Sequence, residues 1–449
     1  MSTSHAPSPP GDSLATWNGR VWRLAGPIIL ANISTPLLGA VDTAVMGHLP
    51  EAAYIGGVAI GAVIFDFLFW GFGFLQMSTS GFTAQARGAG DDTEVRATLI
   101  RALALALGLG LLIVLLQRPI VAIAFAVMDP SAQVESLARS YYAIRIWSAP
   151  FALANYVALG WFLGQQRAGL ILVLQLVLNG TNIALSLLFV VGFGWGIEGV
   201  ALATLIAQGG GLAFAFLFMW RALFTRDPSL TRSRLADRRR LAALLHVNAN
   251  IMIRTLCLIF GFAYFTARGA EMGDVILAAN AVLMQFQAMA AYAMDGFSHA
   301  VEVLAGTALG RRSRSDFRQA IKVSSLWAFG FAVLLTLIFW LLGPQIIALF
   351  SNIAEVRSAA LAYLPWMIAA PLISVWSFLL DGIFVGTTRS AEMRNAMIAS
   401  LAIYLIACWL LIPAYGNHGL WLAFLILMTA RMATLGFYFP RVEQAVAGA

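Results

Sequence analysis

The sequence predicts an all-α polytopic membrane protein with twelve transmembrane helices in two six-helix lobes related by pseudo-two-fold symmetry. Three observations support this fold class. Of the 449 residues, 60% are hydrophobic and only 11% are charged, whereas about 25% of the residues in a soluble domain are charged. The apolar residues fall into twelve separate runs. The last six runs repeat features of the first six.

Each of the twelve runs is long enough to cross a bilayer, because roughly 20 apolar residues span its hydrocarbon core. In chain order the runs cover residues 24–47, 52–82, 96–117, 140–164, 168–192, 198–220, 246–267, 274–306, 318–342, 359–386, 393–413 and 418–439. Several runs are longer than a bilayer requires, so we expect tilted helices or extensions beyond it. Residues 1–20 are polar, and we expect a cytoplasmic tail there, without a cleaved signal peptide.

The basic residues predict the orientation of the chain in the membrane. Of the 28 basic residues 27 are Arg, and most lie in loops that follow even-numbered runs. Loops rich in Lys and Arg stay on the cytoplasmic side. Both termini are therefore expected in the cytoplasm, and the expected location is a bacterial inner (plasma) membrane. The net charge of +7 thus reflects membrane orientation, and we expect no nucleic-acid partner.

Three short motifs recur at an offset of about 220 residues. The matched pairs are residues 83–88 with 305–310, 165–168 with 387–390, and 196–199 with 416–419. Because each copy holds an even number of helices, both copies have the same topology and are related by an axis along the membrane normal. Two such lobes would enclose a cavity near the middle of the membrane.

The longest polar stretch divides the chain near its middle. We therefore expect an N-lobe at residues 21–220, a cytoplasmic linker at residues 221–245 and a C-lobe at residues 246–440.

Asp42 is the most informative ionisable residue, since it lies within the first apolar run. A carboxylate at membrane depth is costly and is usually functional. Two interpretations remain open: Asp42 faces a water-filled cavity and binds H⁺ or Na⁺, or it anchors a helix end at the outer interface. Pro27 and Pro36 on the same run can bend the helix, although membrane helices also tolerate proline without such a role.

Polar residues on the fifth and sixth runs predict a hydrated N-lobe cavity. Gln175, Asn179, Asn182 and Ser186 are spaced by four, three and four residues, so they share one helix face. Thr204 lies on the next run. The alternative is that these side chains only join the helices by hydrogen bonds.

The C-terminal half has its own acids at membrane depth. Asp295, His299 and Glu302 form a stripe on the eighth run, and Asp381 lies on the tenth. These acids suggest a second proton or cation site. Alternatively, Glu302 pairs with a basic residue near the cytoplasmic end and Asp295 pairs with another helix, for which Arg254 is a candidate partner.

Five stretches resemble the multidrug and toxic compound extrusion (MATE) family, and within it the DinF-like branch. They cover residues 27–48, 69–91, 248–257, 295–311 and 381–398. The resemblance implies a two-lobed antiporter that exports amphipathic, often cationic, compounds in exchange for H⁺ or Na⁺.

The resemblance also assigns residues to roles. It places the family's helix 1 acid at Asp42, its bending proline at Pro27, and its polar N-lobe cluster at Asn182 and Thr204. Ser186 stands where archaeal relatives have a second acid, so Asp42 would act without that partner.

The predicted function is therefore a secondary active multidrug efflux antiporter, and not an enzyme. The sequence has no nucleotide-binding motif, and no cluster of catalytic or metal-ligating residues. We expect amphipathic small molecules and membrane lipid as partners, a monomer, and no cofactor besides the coupling ion. One alternative is a lipid-linked precursor flippase, which a large basic cavity would favour. The other is a polytopic membrane protein without transport activity.

Overall fold

The computed structural model describes the backbone of residues 13–46, 52–224 and 230–448, and the side chains of these residues except 35–46, 52, 53, 55, 447 and 448. All regular structure within these ranges is helical. The α-helices are α1 Leu14–Met46, α2 Ala52–Trp70, α3 Phe74–Gly88, α4 Asp92–Leu115, α5 Gln117–Met128, α6 Ala132–Arg145, α7 Ala149–Gly164, α8 Ala168–Ser186, α9 Gly196–Phe224, α10 Arg232–Leu235, α11 Arg238–Ala270, α12 Asp274–Gly310, α13 Arg314–Phe350, α14 Ala354–Gly386 and α15 Ser390–Gly448.

The described helices account for the twelve predicted crossings. Ten helical segments are long and apolar enough to span a membrane. The last of them, within α15, is broken at Gly416, whose φ of 54° and ψ of −131° are not helical, so it supplies two crossings. Helix α1 supplies the twelfth. The predicted all-α fold class is confirmed.

Helix boundaries differ from the apolar runs in a systematic way. Helix α1 begins ten residues before its run, because Trp17 and Val21 are buried against the bundle. Helix α11 likewise begins at Arg238, where the Asp237 side chain accepts hydrogen bonds from two backbone N–H groups and caps the helix. The second crossing combines α2 and α3 through a short 3₁₀ turn at Gly71–Gly73.

Four helices end in the same way at one end of the bundle. Gly90, Gln166, Arg312 and Thr388 have φ values of 71°, 61°, 57° and 54° and follow α3, α7, α12 and α14. Left-handed residues of this kind close a helix by bonding the orphan carbonyls of its last turn. Gly90 and Arg312 lie 222 positions apart, and so do Gln166 and Thr388. The internal repeat is thus present in the backbone.

We call this end of the molecule the arginine-rich end, because Arg87, Arg167, Arg311 and Arg389 lie there. The short helix α10 of the linker also docks there. Arg101 on α4 donates hydrogen bonds to the carbonyls of Arg234 and Leu235, and Arg234 pairs with Asp91 at 2.5 Å. These contacts hold the linker against the N-terminal half.

Inside each lobe two helices meet through glycines. A Cβ on Gly160 of α7 would collide with the carbonyl of Gln76 on α3, and a Cβ on Gly382 of α14 would collide with that of Ser298 on α12. Small residues let membrane helices approach closely. Because the two contacts lie 222 positions apart, the two lobes use the same helix pairing.

Candidate functional site

A cavity of about 80 Å³ lies between the two lobes. Helices α1, α3, α7 and α8 supply most of its wall, and α12 supplies one residue. The lining residues are Ile28, Ala31, Asn32, Gln76, Leu159, Leu163, Ile171, Gln175 and His299. Four of them are polar, and one water molecule needs only about 15 Å³ of such space. The cavity therefore suits several water molecules inside an otherwise apolar bundle.

Helix α1 contacts both lobes beside this cavity. The Asn32 amide donates to the Tyr292 carbonyl on α12 at 3.0 Å. The Asn179 amide on α8 donates to Ser34 Oγ at 2.7 Å, and Ser34 donates to the Ala31 carbonyl. Any tilt or bend of α1 would have to break or stretch these bonds.

The side chains of Asp42 and Pro36 lie outside the described residues, although the helical backbone of α1 continues to Met46. Asp42 is ten residues beyond Asn32, which corresponds to about 15 Å along a helix. It therefore lies on the cavity-lining helix, towards the end opposite the arginine-rich end. Pro27 is half-buried within α1 and immediately precedes Ile28 of the cavity wall.

The predicted polar N-lobe residues fall into two groups. The Asn182 amide donates to Thr204 Oγ1 at 2.9 Å, and Ser186 Oγ lies 3.4 Å from Asn182 Oδ1. These three side chains are buried between α8 and α9. Asn179 instead contacts α1, and its neighbour Gln175 reaches the cavity.

Asp381 forms a buried ion triad in the C-terminal half. Its Oδ2 accepts from Nη2 of Arg254 on α11 and from Nη2 of Arg431 on α15. The three residues are at most 8% exposed. Arg254 thus pairs with Asp381 and not with Asp295, whose charge is nevertheless near enough to interact with the triad.

His299 and Glu302 form a second polar pair on α12. His299 Nδ1 lies 2.8 Å from Glu302 Oε2. Glu302 is 2% exposed, and its Oε1 has no hydrogen-bond partner among the described residues. His299 reaches from α12 into the cavity wall of the N-terminal half. Glu302 therefore pairs with a histidine within its own helix and not with an arginine near the helix end.

The cavity and the triad occupy equivalent places in the two repeats. Asn32 and Arg254 lie 222 positions apart, as do Leu159 and Asp381. Where the N-terminal half has an open space between α1 and α7, the C-terminal half has an arginine–aspartate pair. The two halves are alike in backbone, but the C-terminal half has charged side chains where the N-terminal half has residues of the cavity wall.

The lobes touch at the arginine-rich end through two equivalent hydrogen bonds. Gln85 Nε2 donates to Thr388 Oγ1 at 3.1 Å, and Gln166 Nε2 donates to Thr307 Oγ1 at 3.1 Å. Gln85 is the counterpart of Thr307, and Gln166 that of Thr388, each 222 positions away. A pseudo-two-fold axis therefore passes between the two bonds.

Glycines tighten the same contact. A Cβ on Gly88 would collide with the Thr307 carbonyl, and a Cβ on Gly310 would collide with the Gln85 carbonyl. The two lobes thus approach to backbone contact and close the molecule at its arginine-rich end.

Several residues of this site were not among the predicted site residues. Asn32 and Gln76 are polar residues within long apolar runs, and Arg431 lies within the run 418–439. A polar or charged residue at membrane depth was the available signal in each case. Their partners lie on distant helices, which the sequence does not specify.

Comparisons with known proteins agree on one family. A family model described as MatE matches residues 27–188 and 251–410. The chain is 41% identical to DNA damage-inducible protein F of Escherichia coli (strain K12), over 94% of this chain and 92% of that protein. It is 26% identical to a probable multidrug resistance protein NorM of Rhizobium meliloti (strain 1021), over 95% and 94% of the two chains.

Solved structures share the fold. An outward-facing multidrug resistance MATE family transporter of the MOP superfamily superposes with a TM-score of 0.87 at 18% identity, covering 96% of this chain and 97% of that one. A MOP superfamily transporter from Pyrococcus furiosus gives a TM-score of 0.86 at 18% identity, with 96% of each chain covered.

Proposed function

The chain belongs to the MatE family, whose members are transporters, and we propose that it is a secondary active efflux antiporter that works by alternating access. It exports amphipathic, often cationic, small molecules in exchange for H⁺ or Na⁺. The observation that carries this proposal is the inter-lobe cavity, whose polar wall includes the helix that bears Asp42. The relative named as a multidrug resistance protein supports the substrate class.

The cavity is too small for a drug in the described state. Small-molecule sites occupy about 300–1,000 Å³, whereas this cavity measures about 80 Å³. It therefore suits water and a coupling cation, and the substrate would enter once the lobes separate. That sequence of events is what alternating access requires.

Asp42 is proposed as the residue that binds the coupling ion. A carboxylate on a membrane helix is costly unless it is hydrated, protonated or bound to a cation. Loading of the ion from the side opposite the arginine-rich end would neutralise Asp42 and allow α1 to bend near Pro27 or Pro36. Bending would strain the Asn32 and Ser34 bonds and shrink the space left for substrate.

The polar side chains of Asn179, Asn182, Ser186 and Thr204 are proposed to hold α8 and α9 in place around α1. Their hydrogen bonds to one another and to Ser34 are the basis for this structural role. In the C-terminal half, Asp381 is an unsuitable ion site because two arginines already neutralise it. Asp295 and Glu302 remain the acids without such a partner.

The flippase alternative depends on a basic cavity. The cavity lining contains neither Arg nor Lys among the described residues, and His299 is its one ionisable group. A lipid-linked phosphate would thus lack the cations that usually bind it. This lining favours export of neutral or cationic molecules.

The chain is an integral membrane protein, and we place the arginine-rich end in the cytoplasm of a bacterial cell, by the excess of arginine in its loops. With this orientation, the lobes in the described state are closed towards the cytoplasm. The protein is proposed to act as a monomer, since each chain contains both lobes and the cavity between them.

Transport by the purified protein tests this function directly. In proteoliposomes loaded with ethidium, an imposed proton gradient or an imposed sodium gradient should drive ethidium movement, and the two gradients applied separately identify the ion. Protein-free liposomes and a collapsed gradient are the controls. Ethidium movement that is independent of both gradients would refute the antiport mechanism.

A further inference from the structure

The proposed antiport cycle leaves one polar pair without a role, the His299–Glu302 pair at the lobe interface. We propose that these two residues form a proton relay, which takes up a proton while the arginine-rich end is closed and releases it when that end opens. The direction of proton movement rests on the function proposed above, whereas proton binding by the pair does not.

Burial makes the pair a proton-binding unit. With a neutral His299 and an ionised Glu302, the pair carries one negative charge at a site where Glu302 is 2% exposed and its Oε1 lacks a described partner. A buried charge without compensation is costly. One added proton makes the pair neutral, either as two neutral groups or as an ion pair, so the closed state favours the protonated pair.

The nearby charges do not remove the preference of the His299–Glu302 pair for an added proton. Asp295 lies one turn before His299 on the same helix, and its charge interacts with that of His299. The charges of Asp381 on α14, Arg254 on α11 and Arg431 on α15 also interact with that of Asp295. The two arginines are bonded to Asp381, and no arginine or lysine among the described residues forms an ion pair with Glu302. The described cavity residues from α1, α3, α7 and α8 are uncharged.

The geometry gives the proton a route. Nδ1 of His299 is bonded to Glu302, which leaves Nε2 as the ring nitrogen for the cavity. A proton from cavity water binds Nε2 while the proton on Nδ1 passes to Oε2 of Glu302. Release reverses these steps and returns the proton to water. One N–H or O–H bond forms for each one that breaks, and no electron is transferred.

The position of the pair complements that of Asp42. His299 lies eleven residues before Gly310, the last residue of α12, or about 16 Å from the arginine-rich end. Asp42 lies on α1 towards the opposite end. The two sites can therefore bind protons in succession, from opposite sides of the cavity.

The repeat argues against a purely structural role. His299 and Glu302 correspond to Met77 and Ser80, 222 positions earlier. The equivalent glycine-mediated packing of α7 on α3 is achieved with these residues, which do not ionise. The histidine and the glutamate are thus not required for this helix contact.

Infrared difference spectroscopy across a pH titration tests proton binding without any transport. Wild-type protein should show the carbonyl stretch of buried protonated carboxyl groups, and Glu302→Gln should remove one component of this band, which His299→Gln should shift in pH. Asp274→Asn is the matched control, because Asp274 is an exposed acid on the same helix. A band that persists unchanged in Glu302→Gln would overturn the proposal.

Transport stoichiometry then tests the relay. In proteoliposomes under a proton gradient, Glu302→Gln and His299→Gln should still bind ethidium but move fewer protons per ethidium than wild type. Asp274→Asn should match wild type. If neither a proton gradient nor a sodium gradient drives efflux by wild type, the proposed function fails and the infrared result still decides on proton binding. If wild type is coupled and both variants keep its stoichiometry, the relay alone is wrong.

Discussion

Single residues in the C-terminal half show how buried charge is compensated. The triad of Arg254, Asp381 and Arg431 carries one net positive charge and is nearly inaccessible. Removing one member of a buried ion pair leaves the other uncompensated and costs about 3–5 kcal/mol. The consequence depends on which member is removed.

Asp381→Asn should lower the thermal stability of the protein more than Arg254→Met. The first change leaves two arginines facing each other without an anion, whereas the second leaves the neutral pair of Asp381 and Arg431. Thermal unfolding in detergent, followed by tryptophan fluorescence, measures the difference, with the exposed Asp274→Asn as control. A stable Asp381→Asn protein that has lost transport would instead indicate ion binding at Asp381.

The sequence identified the charged residues at membrane depth better than it identified their partners. Asp42, Asp295, Glu302 and Asp381 were recognisable because a carboxylate at membrane depth is unusual. The partner of Asp381 on α15 was not, because hydrogen bonds between helices far apart in sequence depend on three-dimensional packing. The position of His299 in the cavity wall of the N-terminal half also depends on three-dimensional packing, so the sequence did not predict it.

At the scale of helices, the ends of α3, α7, α12 and α14 form the contact that closes the arginine-rich end. Thr388 adopts a φ of 54°, which is unfavourable for a β-branched residue. Gln85 bonds both Thr388 Oγ1 and the Gly386 carbonyl. The hydrogen bonds between the lobes thus help to hold a strained helix end in place.

Gln85→Ala and Gln166→Ala should each favour opening of the arginine-rich end. Gln166→Ala removes one inter-lobe hydrogen bond and Gln85→Ala removes two. Each bond is worth about 1 kcal/mol, or about a fivefold change in the ratio of closed to open molecules. Double electron–electron resonance would measure the opening as a distance distribution between spin labels at the exposed positions Arg167 and Arg312. Cys257 and Cys408 are replaced first.

Gln133→Ala, exposed at the start of α6 near the opposite end, provides the control for this measurement. Its distance distribution should match that of the parent protein. If the two inter-lobe variants also match the parent, the hydrogen bonds do not contribute to closure.

The helices themselves followed from the apolar runs, since hydropathy and length determine which segments cross a bilayer. The ends of the helices were predicted less accurately from the sequence. Helices α1 and α11 begin earlier than their runs, because amphipathic or capped turns outside the apolar segment are stabilised by burial and by capping. The short helix α5 was not predicted, because it is too short to span a bilayer.

At the scale of the whole molecule, two lobes with similar backbones differ in their buried polar residues. The repeat was visible in the sequence at an offset of about 220 residues, and the helix ends reproduce it at 222. The sequence predicted a hydrated cavity in the N-lobe. It did not predict that Arg254 and Asp381 pair, in the C-terminal half, at the positions equivalent to Asn32 and Leu159 of the cavity wall.

Under the proposed mechanism, this asymmetry favours a coupling-ion site in the N-terminal half. Substrate and ion would compete for the space beside α1, while the C-terminal half provides a rigid surface against which α1 moves. The proton relay at His299 and Glu302 would connect that surface to the cavity.

Ethidium efflux by an Asp42→Asn variant in proteoliposomes is the most direct test of coupling through α1. The variant cannot ionise at this position, so we expect it to bind ethidium in a fluorescence assay yet to lose efflux driven by the gradient that drives wild type. Asp274→Asn should retain that efflux. Gradient-driven efflux by Asp42→Asn at the wild-type rate would contradict the account.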